Sequence, residues 1–299
     1  MGAPPISNPV MLVLGDSVAW GQGLEDYNKF YQLVFGQLSP RYPGMLPPVM
    51  RAHSGAVIGR GINQSWPAWP GEIPTSGPTI FDQVNQYADP SPVRVILMDG
   101  GINDVNVRVI LNPVTQSADL ENLIKQHCRD DMVALLQAVA AKFTHPECKI
   151  IVFGYYPILA ENAADASIAL LLNALGVPNG DLVVRGAAGI SDPRDLAVQF
   201  WQQSDLNLKA AVDDVGDKRI TFVASTFQAQ NALFESDPLL WGLGFGLTPE
   251  DEVADQRREP CVDLVHQWFD CQTCIRASVG HPNASGAIKY AEAIMTAFP

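Results

Sequence analysis

The stretch LVLGDSVAWGQGL, Leu12 to Leu24, sets Ser17 directly after an apolar run, a glycine and an aspartate. A serine hydroxyl is a weak nucleophile at neutral pH until a neighbouring base takes its proton, and an imidazole with an ordinary pKa of about 6.5 suits that task. Of the five histidines, His281 in GHPNASG precedes a helical pattern. His127, His145 and His266 lack the spacing of a zinc site, His53 reads as structural, and no catalytic metal is expected. Asn103 and Asp104, in GGIND, follow the strongest apolar run of the chain. Each of these residues also has a plain structural reading. Ser17 with Asp16 fits a helix N-cap, Asn103-Asp104 a turn, and His281 a loop residue ahead of a helix.

The elements around them decide between these readings. Apolar runs at Met11 to Leu14, Pro48 to His53, Val93 to Met98, Lys149 to Tyr155 and Arg219 to Ser225 alternate with helical patterns. Short, continuously apolar strands separated by helices predict a parallel sheet covered on both faces. Leu120, Leu123, Ile124, Met132, Leu135, Leu136 and Val139 recur at helical spacing and predict a crossover helix from about Asp119 to Phe143. A last helix is expected after Asn283, with Ile288, Ala291 and Met295 docked on the core. In such a sheet the carboxyl ends of the strands form the ligand crevice, and Ser17 and Asn103 would stand at its mouth.

One domain spanning residues 1–299 is expected. It carries an elaborated connection at about 156–211 and an irregular region at about 227–280 that could cover the crevice. With 47% hydrophobic residues the chain can bury a large core without disulfides. No stretch approaches the roughly 18 to 20 uninterrupted apolar residues needed to cross a bilayer, so a soluble protein without stable membrane insertion is expected. A formal net charge of -13 disfavours nucleic acid as a partner. The segment MGAPPISNPV shows no charged or apolar export signal, which leaves the compartment open, as it does the oligomeric state. Cys128 and Cys148 read as small buried hydrophobes. Cys261, Cys271 and Cys274 read as structural cysteines or as one loop disulfide using Cys261, although CQTC has the spacing of a redox pair.

Four segments, GDSVAWGQG (Gly15 to Gly23), HSGAVIG (His53 to Gly59), GGIND (Gly100 to Asp104) and GHPNASG (Gly280 to Gly286), resemble, in order, the blocks of the SGNH, or GDSL-type, hydrolase family. The stretch from Tyr156 to Gly280 carries no matching block. The resemblance implies a three-layer α/β/α sandwich with a five-stranded parallel sheet of flavodoxin-like order. It implies serine-dependent hydrolysis of carboxylic esters through an acyl-enzyme, without a cofactor. Ser17 would be the nucleophile, His281 the base, and the Ser17 N–H, the Gly55 N–H and the Asn103 amide the oxyanion hole.

The sequence departs from the family in one place. The usual Asp-x-x-His has Ser278 where the aspartate belongs. Asp263 or Asp270 could fold back as the acid partner, or a backbone carbonyl near Ser278 could accept the imidazole Nδ1–H. The carbonyl, and with it a Ser–His dyad, is the expectation. The implied substrates are small acyl esters, of short to medium chain length or acetylated sugars, with Trp20, Phe234, Trp241 and Phe245 as candidate walls and burial in the core as the alternative for each. More specialised acyl hydrolysis (carbohydrate deacetylase, thioesterase or lysophospholipase), a catalytically silent ligand-binding module and a thiol redox protein remain the alternatives.

Overall fold

The computed structural model describes residues 8–177, 189–244, 251–264 and 271–299. Five strands, β1 (Val10–Leu14), β2 (Val49–Met50), β3 (Val93–Met98), β4 (Lys149–Phe153) and β5 (Ile220–Val223), form one sheet in the order β2-β1-β3-β4-β5. Every pairing is parallel. This is the expected flavodoxin-like order, within a three-layer α/β/α arrangement. All of β1 is buried, as is β3 apart from Arg94, because helices cover both faces and leave no solvated side on which polar residues could alternate.

Helices Phe30–Leu38 and Ala284–Met295 pack together against one face. On the other lie Ile80–Asn85, the long helical stretch at 117–142 and Pro193–Val215. Under the first pair, Phe30, Phe153, Tyr156, Phe227 and Tyr290 form a ring cluster with centroids 5.2–6.0 Å apart. Truncating a buried ring such as Phe153 to alanine is expected to cost about 3–5 kcal/mol, through lost transfer energy and an unfilled cavity.

Three elements differ from expectation. The second strand is only two residues long: Arg51 N and Ala52 N both donate to Val13 O, which breaks the ladder although the chain runs on beside β1 to His53. The crossover helix is interrupted at Lys125–Asp131 by a π-helical stretch between Ser117–Ile124 and Met132–Lys142. This stretch places Cys128 against Gly101, where a Cβ would lie 2.9 Å from the Cys128 sulfur. In the last helix Ala287, Tyr290, Ala291 and Ile294 face the core, and Ile288 is 51% exposed. The isoleucine lies one position off that stripe, and the aromatic ring of Tyr290 fills the docking face instead.

The connection after β4 contains the helices Asp165–Ala174 and Pro193–Val215, with Pro193 at the first turn of the second. Pro178, where the sequence also predicts a break in this connection, lies outside the described residues. The region after β5 contributes the helices Ala254–Leu264 and Cys271–Ile275, joined by a Cys261–Cys274 disulfide. Cys271 is a free thiol, so the CQTC pair is not the bonded one. Among the described residues no helix is long and apolar enough to cross a membrane.

Candidate active site

The connection from β1 leads to β2 on one side, whereas the chain leaving β3 continues to β4 on the other. The crevice therefore opens between the carboxyl ends of β1 and β3, where the sheet order reverses. Ser17 begins the short helix Ser17–Trp20 directly after β1, and Asn103 lies in the short helix Ile102–Val105 after β3. Asp16 caps the first of these by accepting the Val18 N–H at 2.9 Å.

Below Ser17, Asp99 at the end of β3 accepts the Asp16 N–H at 2.9 Å and the Ala19 N–H at 3.2 Å. Tyr155 Oη donates to Asp16 at 2.9 Å and accepts the Ile102 N–H at 3.1 Å, which ties the two short helices together. Burial raises both carboxyl groups above their ordinary range. It acts most on Asp99, which also feels the charge of Asp16. Gly15 has φ +131°, and a Cβ there would sit 1.9 Å from Asp99 Oδ1.

His281 Nε2 is 2.7 Å from Ser17 Oγ. The histidine leads into the last helix, whose N-cap Asn283 accepts the Gly286 N–H at 3.0 Å. Its loop is strapped to residues 239–241: Trp241 N donates to His281 O, Gly280 N to Trp241 O, and Asn283 N to Leu239 O. On the far side of the ring Nδ1 lies 3.3 Å from the Ser278 carbonyl, which also accepts the His281 N–H at 2.8 Å. Nδ1 is then the protonated nitrogen, and Nε2 is free to accept from the serine. Burial holds the imidazole pKa down to about 4, opposed by the Ser278 carbonyl, so the ring is neutral at pH 7.

Gly55 follows β2 with φ +77°, and a Cβ there would meet Thr75 O at 2.7 Å and Pro74 C at 3.0 Å. The need for glycine comes from the neighbouring loop, not from room for a substrate. Asp104 accepts the Ile58 N–H at 2.9 Å, and Asn103 Nδ2 donates to Ala56 O at 3.0 Å, so the turn after β3 grips the Gly55 loop. The Asn103 amide has a second N–H to give. Among the described residues the backbone N–H groups of Ser17 and Gly55 have no acceptor. Burial pushes the Asp104 carboxyl up to about 6. His53 is structural, its ring nitrogens resting against the Ser54 and Trp69 carbonyls.

Ser17, Gly55, Asn103 and His281 line one cavity of about 320 Å³, whose remaining wall is largely aliphatic: Val57, Ile102, Val107, Leu111, Ile158, Leu171, Leu175, Val177, Leu233 and Val279. A larger depression of about 660 Å³, lined by Ser117, Glu161, Asp192 and Arg194 among others, has no histidine in its wall. Its Arg194 is committed to Asp165 and Asp192. The smaller cavity is the candidate site, since it brings Ser17, Asn103 and His281 to one wall.

Of the aromatic walls expected from the sequence, Trp20, Trp241 and Phe234 are not in it. Trp20 lies under the Lys29 ammonium, 3.8 Å from its centroid, and donates Nε1 to Glu72. Trp241 turns its indole towards Gly23, and Phe234, φ +66° and 42% exposed, leaves the wall to its neighbour Leu233. Phe245 lies outside the described residues. Asp263 is exposed on the helix Ala254–Leu264, and the Ser278 carbonyl occupies the position at Nδ1 that it would need. Asp270 also lies outside the described residues.

Three charged residues beside the site, the half-buried Glu72 and the buried side chains of Asp251 and Arg257, have no sequence signal of their own. PEDEVADQRREP reads as a solvated charge run, and only the tertiary fold buries Arg257 to 1% exposure. Among the described residues no group of three His, Cys, Asp or Glu could hold a metal ion.

No protein-family model matches the sequence, and no curated protein does. Solved structures do. A lipase from a goat rumen metagenome is 14% identical with a TM-score of 0.47, over 97% of this chain and 98% of that one. An acetyl xylan esterase from Geobacillus stearothermophilus is 15% identical with a TM-score of 0.40, over 97% and 94%. A GDSL-like lipase from Parabacteroides merdae is 13% identical with a TM-score of 0.41, over 98% of each chain. These three structures, two lipases and an esterase, are similar to this chain over nearly its whole length.

Proposed function

We propose that the protein hydrolyses carboxylic esters through an acyl-serine intermediate. The observation that carries the reading is the 2.7 Å contact between His281 Nε2 and Ser17 Oγ at the wall of an apolar cavity. Ser17 Oγ attacks the acyl carbonyl carbon as its proton passes to His281 Nε2. The oxyanion accepts hydrogen bonds from the Ser17 N–H, the Gly55 N–H and the Asn103 amide. On collapse the C–O bond to the alcohol breaks and His281 returns the proton to the leaving oxygen. Water then gives a proton to His281, attacks the acyl-serine and releases the acid, restoring the Ser17 hydroxyl.

The aliphatic wall favours short- to medium-chain acyl groups. A methylene that becomes buried contributes about 0.8 kcal/mol, or roughly fourfold in kcat/KM. A series of p-nitrophenyl esters of increasing acyl length tests this. Activity should rise by about that factor per methylene until the cavity is filled and then fall, and Ser17→Ala should remove it. A flat series would detach the cavity from acyl binding, and equal activity in wild type and Ser17→Ala would remove the serine from the mechanism.

A further inference from the structure

A carbonyl that orients a catalytic imidazole is only as well placed as the loop that carries it. Ser278 is fully buried, and its hydroxyl donates to Asp251 Oδ2 at 2.6 Å. Asp251 is paired with Arg257 Nη2, also at 2.6 Å, and neither side chain has any exposure. Arg257 further donates to the Ile275 carbonyl from Nε and Nη2, at 3.1 and 2.9 Å, and from Nη1 to Glu72 at 3.1 Å. The Glu72 carboxylate in turn holds Trp20 Nε1 at 2.8 Å, Gln22 Nε2 at 2.6 Å and the Gly23 N–H at 3.3 Å, in the segment that leaves the Ser17 helix. The two loops meet at Gly23, φ +85°, where a Cβ would lie 2.8 Å from Ser278 Cβ and 3.0 Å from Asp251 Cβ.

A chain of charges in a dry interior is a costly way to gain stability, since desolvating each ion costs several kcal/mol and apolar packing often serves as well. This chain runs between the loop of the proposed base and the turn of the proposed nucleophile. We infer that Asp251, fixed by Arg257, is a positioning residue that takes the place of the missing acid. Through the Ser278 hydroxyl it orients the carbonyl that keeps His281 in its Nδ1–H tautomer, and through Arg257 and Glu72 it sets that loop against the turn bearing Ser17. The inference rests on the Ser17–His281 reading of the site. Asp251 makes no hydrogen bond to the imidazole; its charge raises the His281 pKa from a distance, where Arg257 opposes it, and its positioning contacts run through Ser278 and Arg257.

Ser278→Ala removes the hydroxyl and leaves the Asp251–Arg257 pair intact, whereas Asp251→Asn removes the charge. Nitrogen-15 NMR of the His281 ring in the full chain should show the Nδ1–H tautomer alone in the wild type and a mixture with Nε2–H in Ser278→Ala and in Asp251→Asn. The kcat on a p-nitrophenyl ester should fall about tenfold or more in each, with KM within about threefold. The double variant should lose no more than the worse single one, because both changes cut one link. A Ser278→Ala protein that is folded by circular dichroism and keeps the wild-type tautomer and kcat would overturn the inference, and so would additive losses in the double variant. If Asp251→Asn does not fold, Ser278→Ala decides alone. If the wild type turns over no ester, the proposed function fails and the tautomer comparison still decides the positioning.

Discussion

At the scale of single residues, the account turns on a neutral histidine whose acceptor is a carbonyl. The base must be unprotonated to act, and burial holds His281 down to about 4. The acid limb of kcat/KM should therefore fall near about pH 4 and not near 6.5, with activity at about pH 5.5 within twofold of that at neutrality. Asp104, raised to about 6, would put a limb about two units higher if its ionisation controlled turnover. A pH profile of Asp104→Asn separates the two: an unchanged limb belongs to His281, and a limb that moves belongs to Asp104. Asn103→Ala should lower kcat by about 10²-fold or more with KM within a few-fold, since an oxyanion donor acts mainly in the transition state. A change confined to KM, measured by steady-state kinetics, would place Asn103 in substrate binding instead. Ser17, Gly55, Asn103 and His281, which line one cavity, were picked out by the resemblance of four ordered segments, since local pattern alone fits caps and turns equally well. Asp251 and Glu72 were not, because a charge in a polar loop looks solvated until distant segments close over it. Trp20 and Trp241 were legible as large apolar groups, but their direction is set by Glu72, Lys29 and Gly23, to which sequence spacing gives no guide.

At the scale of elements, short apolar runs alternating with helical patterns identified all five strands, because a fully covered parallel sheet leaves no other use for them. Their lengths were harder to read. The run Pro48 to His53 yields a two-residue strand because both following N–H groups turn to one carbonyl, Val13 O. The π-helical stretch was also hidden, since Leu120, Ile124, Cys128 and Met132 fit an uninterrupted helical stripe. What the elements contribute to the site is close approach. Gly55→Ala would force a side chain into the left-handed region, at about 1–2 kcal/mol, and drive its Cβ against Thr75 O. Urea unfolding should show a loss of about 2 kcal/mol or more, with a fall in kcat as the Gly55 N–H shifts. Unchanged stability would mean that the Thr75 loop yields freely.

At the scale of the whole molecule, the main core lies around the sheet, and a small separate cluster of Ile73, Cys261, Leu264, Cys274 and Ile275 supports the segment that carries Arg257. The Cys261–Cys274 disulfide closes a short loop in this cluster, and in the chain-entropy model a loop of that size contributes about 3 kcal/mol. Cys261→Ser should lower the unfolding free energy by about that amount, measured by denaturant titration, whereas Cys271→Ser should leave turnover within about twofold. Loss of turnover in a folded Cys271→Ser protein would instead favour thiol chemistry. The central claim is that one serine in this fold is activated for acyl transfer, and a p-nitrophenyl organophosphonate tests it most directly. Mass spectrometry should find one phosphonyl group per chain, on the peptide that contains Ser17, with no labelling of Ser17→Ala. An unlabelled wild type, or an adduct on any other residue, would contradict the account.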